Sequence, residues 1–217
     1  MRLAIFDLDG TLIDSRRDLA DAANALLVER GGRPLPVETI AGLVGEGAAV
    51  LVRRAFDVAG IEADAPDALG RFLELYDERL LLHTRLYDGI ASALDALAST
   101  PLAVLTNKPL GATRRILEGL DIARHFRRVL GGDGPFPRKP DPTALHFLMG
   151  DAGATPATTV LVGDSRIDLE TARAAGVRIV LAAYGFGYRE EAPHALDDAL
   201  IAAAPGEIAA RVNEALP

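Results

Sequence analysis

The sequence predicts an α/β protein: a parallel sheet with helices on both faces, interrupted near its start by an inserted helical module. Three observations carry that prediction. Short apolar runs at Leu3-Ala4-Ile5-Phe6, Leu102-Ala103-Val104-Leu105 and Val160-Leu161-Val162 have the pattern of strands buried on both faces. From Tyr87 onward such runs alternate with helical periodicities, the signature of repeated strand–helix units and hence of parallel strands. Between Ser15 and His83, by contrast, apolar residues keep helical spacing and no convincing strand is found.

Taken in order, the first strand ends in Asp7-Leu8-Asp9-Gly10-Thr11. Asp14 or Ser15 then caps a helix from near Arg16, with Leu19, Ala23, Leu26, Leu27 and Arg30 at helical spacing and Gly31-Gly32 ending it. Gly45-Glu46-Gly47 opens a helix through about Asp57, apolar at Val50, Leu51 and Phe56. Its G-x-G is half of a dinucleotide fingerprint, but no strand precedes it and no third glycine follows, so it is not read as a cofactor loop. Residues 64–82 carry a packing stripe of Leu69, Phe72, Leu73, Tyr76 and Leu80. A helix at about 90–98 leads to the strand 102–105, and one at about 111–119 leads to a short strand, Arg128-Val129-Leu130. Pro142 opens a helix through about Met149, followed by the strand 159–162; helix 166–175 ends at Gly176 before a strand from Val177 to Leu181. Leu200-Ile201 is a last short strand and 206–215 a closing helix. Residues 1–14 and 84–217 thus form the α/β core domain, and 15–83 the helical insert.

Composition sets the outer bounds. With 217 residues, 49% of them hydrophobic, the chain can build a sizeable core. A net charge of −8 argues against nucleic acid or an anionic membrane as the main partner. No cysteine is present, which excludes thiol catalysis, disulfides and cysteine-ligated zinc. After Arg2 the apolar run reaches only Phe6 before meeting Asp7, which is not a signal peptide, and no apolar stretch is long enough to span a bilayer. A cytoplasmic protein is expected; its oligomeric state, monomer or homodimer, is left open. Of 23 basic residues only Lys108 and Lys139 are lysines, so those two positions are where a compact ammonium is specifically wanted.

The strand ends collect the chemistry. Strand one ends in Asp7-x-Asp9, the second core strand in Thr106-Asn107-Lys108-Pro109, and the strand 159–162 in Gly163-Asp164-Ser165, with Asp168 three residues on. Lys139 lies in Arg138-Lys139-Pro140-Asp141, after Gly131-Gly132-Asp133. Asp7-x-Asp9-Gly10 alone reads equally as an acidic turn. In a parallel sheet, however, these ends share one edge, the edge that binds ligands. Four carboxylates gathered there repel one another and call for a divalent cation; oxygen donors with a phosphate suit Mg²⁺. One carboxylate can attack phosphorus to form an aspartyl-phosphate, and a second, two residues on, can protonate the leaving oxygen and then activate water. Thr106, the backbone N–H groups after Asp7 (Leu8 and Asp9) and Lys139 supply donors and charge for the phosphoryl oxygens.

These segments, Asp7-Leu8-Asp9-Gly10-Thr11, Thr106, Lys139 and Gly163-Asp164-Ser165-Arg166-Ile167-Asp168, resemble in order and spacing the four signatures of the haloacid dehalogenase-like (HAD) superfamily. The resemblance implies a Rossmann-like core with an α-helical cap that closes over the phosphate. It implies Asp7 as nucleophile and Asp9 as acid/base. Mg²⁺ would be held by the Asp7 carboxylate, the Asp9 main-chain carbonyl and Asp164, with Asp168 in support. Longer stretches resemble the phosphoglycolate phosphatase branch: Leu43-Val44-Gly45-Glu46-Gly47, Thr106-Asn107-Lys108-Pro109 with Asn107 at the substrate, Lys139-Pro140-Asp141-Pro142 and Tyr184-Gly185-Phe186-Gly187-Tyr188. They make 2-phosphoglycolate the first candidate among small phosphorylated metabolites. The chain departs from that branch at Glu46, where an extra carboxylate facing the pocket would disfavour an anionic substrate.

Other readings remain at this point. A dehalogenase has no use for a second acid at Asp9, and a phosphonatase needs a cap lysine where 15–83 holds only arginines. A sugar phosphomutase, or a phosphatase of broad sugar and nucleotide specificity, keeps the same core. Receiver-type signalling modules also carry phospho-aspartate, but on an adjacent acidic pair and a shorter chain without a cap. His83, His125, His146 and His194 are read as surface or packing residues. Lys108 is read either as a substrate contact or as a surface charge at a helix start. Arg166 is expected to pair with a carboxylate, Arg53 and Arg54 to lie on an exposed helical face, and Tyr184 to Tyr188 to form a loop at the sheet edge.

Overall fold

The computed structural model describes residues 1–62, 67–188 and 199–217. In chain order its elements are β1 (Leu3–Phe6), β2 (Ile13–Asp14), α1 (Arg16–Glu29), α2 (Val37–Ala41), α3 (Ala48–Ala59), α4 (Ala68–Arg79), β3 (Arg85–Leu86), α5 (Ile90–Ala96), β4 (Leu102–Leu105), α6 (Leu110–Gly119), β5 (Phe126–Leu130), α7 (Thr143–Ala152), β6 (Thr159–Gly163), α8 (Arg166–Ala175), β7 (Arg178–Ala182), β8 (Ala199–Ala202) and α9 (Ile208–Ala215). Six strands form one sheet in the order β5-β4-β1-β6-β7-β8, every pair parallel. β1 is therefore central, and the order reverses on either side of it. That reversal opens a crevice at the carboxyl ends of β1, β4 and β6, where open α/β sheets take their ligands.

Alternation along the strands divides the core into two layers. Ala4 and Phe6 of β1, Leu102 and Val104 of β4, and Val160 and Val162 of β6 face the layer of α5, α6 and α9. Leu3, Ile5, Ala103, Leu105 and Leu161 face α7 and α8. Burial on both faces explains why these strands read as unbroken apolar runs. The first layer continues without a break through Leu8, Leu12 and Ile13 into Leu19, Leu26, Leu51, Phe56, Phe72 and Tyr76 of the insert.

Where the insert leaves the core and returns, β2 and β3 form a two-stranded antiparallel ribbon, Ile13 opposite Leu86 and Asp14 opposite Arg85. Behind it Asp18, fully buried in the first turn of α1, accepts the N–H groups of His83 and Thr84 at 2.9 and 2.8 Å and the Thr84 hydroxyl at 2.7 Å. The exit and return of the chain are thus tied by one carboxylate.

Several elements differ from the sequence-based expectation. The ribbon and α2 are additional, too short to leave a periodic trace. The helix expected from Gly45 starts at Ala48, because Gly45 and Gly47 adopt positive φ of 129° and 92°. Residues 64–66 at the start of the helix expected over 64–82 lie outside the described residues, and α4 runs from Ala68 to Arg79. Leu69, assigned to the packing stripe, is exposed, whereas Phe72 and Tyr76 are buried. Ser15 is the N-cap residue of α1 but gives its hydroxyl elsewhere; Asp14 Oδ1 accepts the Arg16 N–H instead. Among the described residues no helix is long and apolar enough to cross a membrane.

Candidate active site

Lys139 is the charge around which the sheet edge is built. It sits between β5 and α7 at 5% exposure, and its Nζ lies 2.8 Å from Asp7 Oδ1 and 2.6 Å from Asp168 Oδ1. Burial alone would lower the lysine's pKa, but Asp168 and Asp7 outweigh it and hold it above the ordinary value. Its position is fixed from behind by Asn107, whose Oδ1 accepts the Lys139 N–H at 2.9 Å and whose Nδ2 donates to the Lys139 carbonyl at 3.0 Å. The same amide nitrogen donates to the Gly45 carbonyl of the insert at 2.9 Å. Both Asn107 amide hydrogens are therefore spent on main-chain carbonyls. Asn107, expected at the substrate, is placed as a strut between the Lys139 loop and the insert.

Asp7, Asp164 and Asp168 each bring a carboxylate oxygen to within 4.8 Å of the others, all three buried. Burial raises the Asp7 pKa to about 6 against the pull of Lys139. Burial and then the charges of Asp168 and Asp7 raise Asp164 well above the usual carboxylate range. Asp168 is held differently: it is N3 of α8 and forms a reciprocal cap with Ser165, accepting the Ser165 hydroxyl at 2.6 Å and its N–H at 3.1 Å. Asp164 accepts the Gly187 N–H at 2.7 Å. Glycine is required around it, since a Cβ at Gly10, Gly185 or Gly187 would approach Asp164 Oδ2 to 1.9, 2.5 or 2.8 Å. The loop 184–188, read from sequence only as a sheet-edge loop, is thus a wall of the site, anchored by the Tyr184 hydroxyl donating to the Thr11 carbonyl at 2.8 Å. Its Gly-x-Gly spacing was the one signal of that role.

Asp9 occupies a second, separate arrangement. Its carboxylate accepts the Ser15 hydroxyl at 2.5 Å and lies 3.0 and 3.1 Å from Lys108 Nζ. Lys108 is no surface charge: it is buried, and its ammonium stands 4.5 Å from the centre of the Tyr76 ring on α4. Desolvation would lower its pKa, but Asp9 foremost keeps it above the ordinary lysine value. Thr106 is buried at the end of β4, its hydroxyl oxygen accepting the Lys108 N–H at 3.2 Å. In the loop after Asp7, the N–H groups of Gly10, Thr11, Leu12 and Ile13 turn back onto the Ile13 and Leu8 carbonyls.

A pocket between insert and sheet edge, with a cavity volume of about 60 Å³, is lined by Asp7, Asp9, Thr106, Asn107, Lys108 and Asp164 below and by Val44, Leu51, Phe72 and Tyr76 above. Glu46 is not part of its lining; it forms an ion pair with Arg54 of α3. Arg166 pairs with Glu170, Arg53 is exposed, and His194 lies outside the described residues. His125 has Asp95 3.7 Å away, His83 and His146 are exposed, and none of the three belongs to the pocket lining.

The donor set can be tested against a metal ion. Asp7, Asp9, Asp164 and Asp168 against Lys108 and Lys139 leave two negative charges when all are ionised, a deficit that one divalent cation balances. All candidate ligands are oxygens, and Asp164 has no cationic side chain bonded to it among the described residues. The residues fit a hard divalent cation.

Comparison with known proteins gives concordant results. The model of the haloacid dehalogenase-like hydrolase family matches residues 4–182. A phosphoglycolate phosphatase of Pseudomonas putida (strain KT2440) is 42% identical over 217 residues, covering 94% of this chain and 79% of that protein. One of Rhodospirillum rubrum is 42% identical over 194 residues, covering 85% and 80%. A crystal structure of a "predicted phosphoglycolate phosphatase" from Haemophilus somnus 129PT superposes with a TM-score of 0.89 at 32% identity, covering 96% of each chain.

Proposed function

The chain belongs to the haloacid dehalogenase-like hydrolase family, and from that premise we propose that it is a Mg²⁺-dependent phosphatase whose first substrate is 2-phosphoglycolate. The observation that carries the reading is the division of the four aspartates: Asp7 shares Lys139 with Asp168, while Asp9 has its own lysine and serine. Two carboxylates on one loop, two residues apart but held by different partners, suit two different tasks.

Asp7 attacks the phosphorus and carries the phosphoryl group as an aspartyl-phosphate. Asp9 gives a proton to the leaving oxygen and takes one from the water that later cleaves the intermediate, by microscopic reversibility. Lys139 offsets phosphoryl charge beside Asp7, and Thr106 with the Leu8 and Asp9 N–H groups donates to the phosphoryl oxygens. Asn107 and Asp168 set the position of Lys139. Asp7, Asp164 and the Asp9 carbonyl would hold Mg²⁺, with Asp168 in support; when bound, the ion neutralises phosphate charge and the mutual repulsion of the carboxylates. Residues 1–14 and 84–217 act as the core domain, and 15–83 as a cap that shields the reaction from water.

Three observations support the small anionic substrate. The cavity is small. The Glu46 carboxylate, which sequence alone set against an anion, is neutralised by Arg54 outside the pocket lining. The relatives in Pseudomonas putida and Rhodospirillum rubrum carry the name phosphoglycolate phosphatase. The test is phosphate release from a panel of small phosphate monoesters with and without Mg²⁺. Metal-dependent hydrolysis with 2-phosphoglycolate foremost is expected. No release from any ester by folded protein refutes the phosphatase, and preference for sugar phosphates or nucleotides refutes the named substrate.

A further inference from the structure

Asp9, as the proton donor, marks the leaving-group side of the pocket, so whatever lies beyond Asp9 meets the part of the substrate that departs. The next group outward is Lys108, and beyond its ammonium lies Tyr76 of the insert. Tyr76 lines the pocket at 3% exposure, and its buried hydroxyl finds no acceptor for its proton among the described residues, the Lys108 ammonium beside it being a donor only. Buried hydroxyls left without an acceptor are uncommon in folded proteins. This one stays a proton donor at any working pH, because burial pushes the phenol up to about 12 against the opposing charge of Lys108. The wall around it is apolar, formed by Leu19, Val44, Leu51 and Phe72, while the nearby Asn107 amide is committed to main-chain carbonyls. A ligand end reaching this place finds one hydroxyl donor and one ammonium.

We propose that Tyr76 and Lys108 form a subsite for a carboxylate on the leaving group, which makes Tyr76 a specificity-determining residue. The inference rests on the phosphatase reading and deepens it. A carboxylate has two acceptor oxygens, one for the Tyr76 hydroxyl and one for Lys108, whose ammonium has a third N–H beyond those it gives Asp9. A neutral or apolar end leaves the hydroxyl unpaired, and a site built to hydrogen-bond a group discriminates strongly against analogues that lack it.

The experiment compares kcat/KM for 2-phosphoglycolate and for ethyl phosphate, which replaces the carboxylate by methyl, in wild type and Tyr76→Phe, with melting curves to establish folding. Wild type should prefer 2-phosphoglycolate, and the variant should lose that preference by roughly tenfold or more. Equal rates for the two esters in wild type, or an unchanged preference in Tyr76→Phe, overturns the subsite while leaving the phosphatase intact. If the variant folds poorly, wild type alone decides with phosphoethanolamine, which puts an ammonium there: it must be the poorest of the three, and turnover matching 2-phosphoglycolate overturns the proposal. If wild type cleaves neither of the first two esters, 2-phosphoglycolate fails as the substrate by itself, and the phosphatase fails with it only if the wider ester panel also releases no phosphate. Calorimetric titration of both into wild type and Tyr76→Phe then judges the subsite: affinity lost only for 2-phosphoglycolate upholds it, and equal affinities overturn it.

Discussion

The chain has only two lysines, and both end up buried against carboxylates at the same sheet edge, yet their surroundings differ. Lys139 is enclosed by core elements: Asp7 after β1, Asp168 on α8 and Asn107 after β4. Lys108 bonds Asp9 on one side and packs against Tyr76 of α4 on the other, so the insert completes its environment. On the proposed reading, the phosphoryl side is therefore set by core side chains, with a single bond from Asn107 to the Gly45 carbonyl reaching the insert, whereas the leaving-group side takes a side chain from the insert as well. An architecture split this way can keep one chemistry while varying what it accepts.

The comparison can be broken by mutation. The largest effect on turnover is expected from Asp7→Asn, which replaces the attacking carboxylate by a neutral amide: phosphate release should fall by roughly a thousandfold or more with the melting temperature preserved or raised. Retained turnover removes Asp7 from the reaction. Lys139→Met leaves Asp7, Asp164 and Asp168 buried without a cation and should destabilise the fold by about 3–5 kcal/mol in denaturant titration. Lys108→Met exposes Asp9 to a smaller penalty, about 1–3 kcal/mol, because the Ser15 hydroxyl still bonds it. Equal losses at the two positions would mean that the two lysines are not in different environments.

A pH titration sharpens the same contrast. Burial raises the folded pKa of Asp7 from 3.8 to about 6, and raises Asp164 as well. Across that window the folded state keeps a proton that the unfolded chain has lost. Metal-free stability therefore falls as pH rises from about 4 to above 6. Melting should occur at lower temperature at about pH 7.5 than at about pH 5, and added Mg²⁺ should narrow the gap by stabilising the ionised carboxylates. A metal-free melting temperature that climbs through this window contradicts the crowding of the cluster. The smallest effect belongs to Glu46→Gln: its exposed pair with Arg54 contributes under about 1 kcal/mol, and 2-phosphoglycolate turnover should change less than about twofold.

Most of the sheet could be read from the sequence because strands buried on both faces leave unbroken apolar runs, as at Leu3–Phe6 and Thr159–Gly163. The β2–β3 ribbon could not, because two-residue strands such as Ile13–Asp14 carry no period. Site positions at the ends of strands followed from the parallel topology. What stayed hidden was pairing across long sequence separations: Asn107 holding both Lys139 and Gly45, Lys108 meeting Tyr76, and Gly187 closing on Asp164. Glu46 shows the same limit, since its charge reads differently once Arg54 is beside it.

The most direct test of the account is to trap the covalent intermediate. Protein quenched during turnover of 2-phosphoglycolate and reduced with borohydride converts an acyl phosphate to homoserine, which peptide mass spectrometry locates. Homoserine at position 7 and nowhere else is the expected result; an unmodified Asp7 under steady turnover, or homoserine at position 9, contradicts the division of labour between the two aspartates.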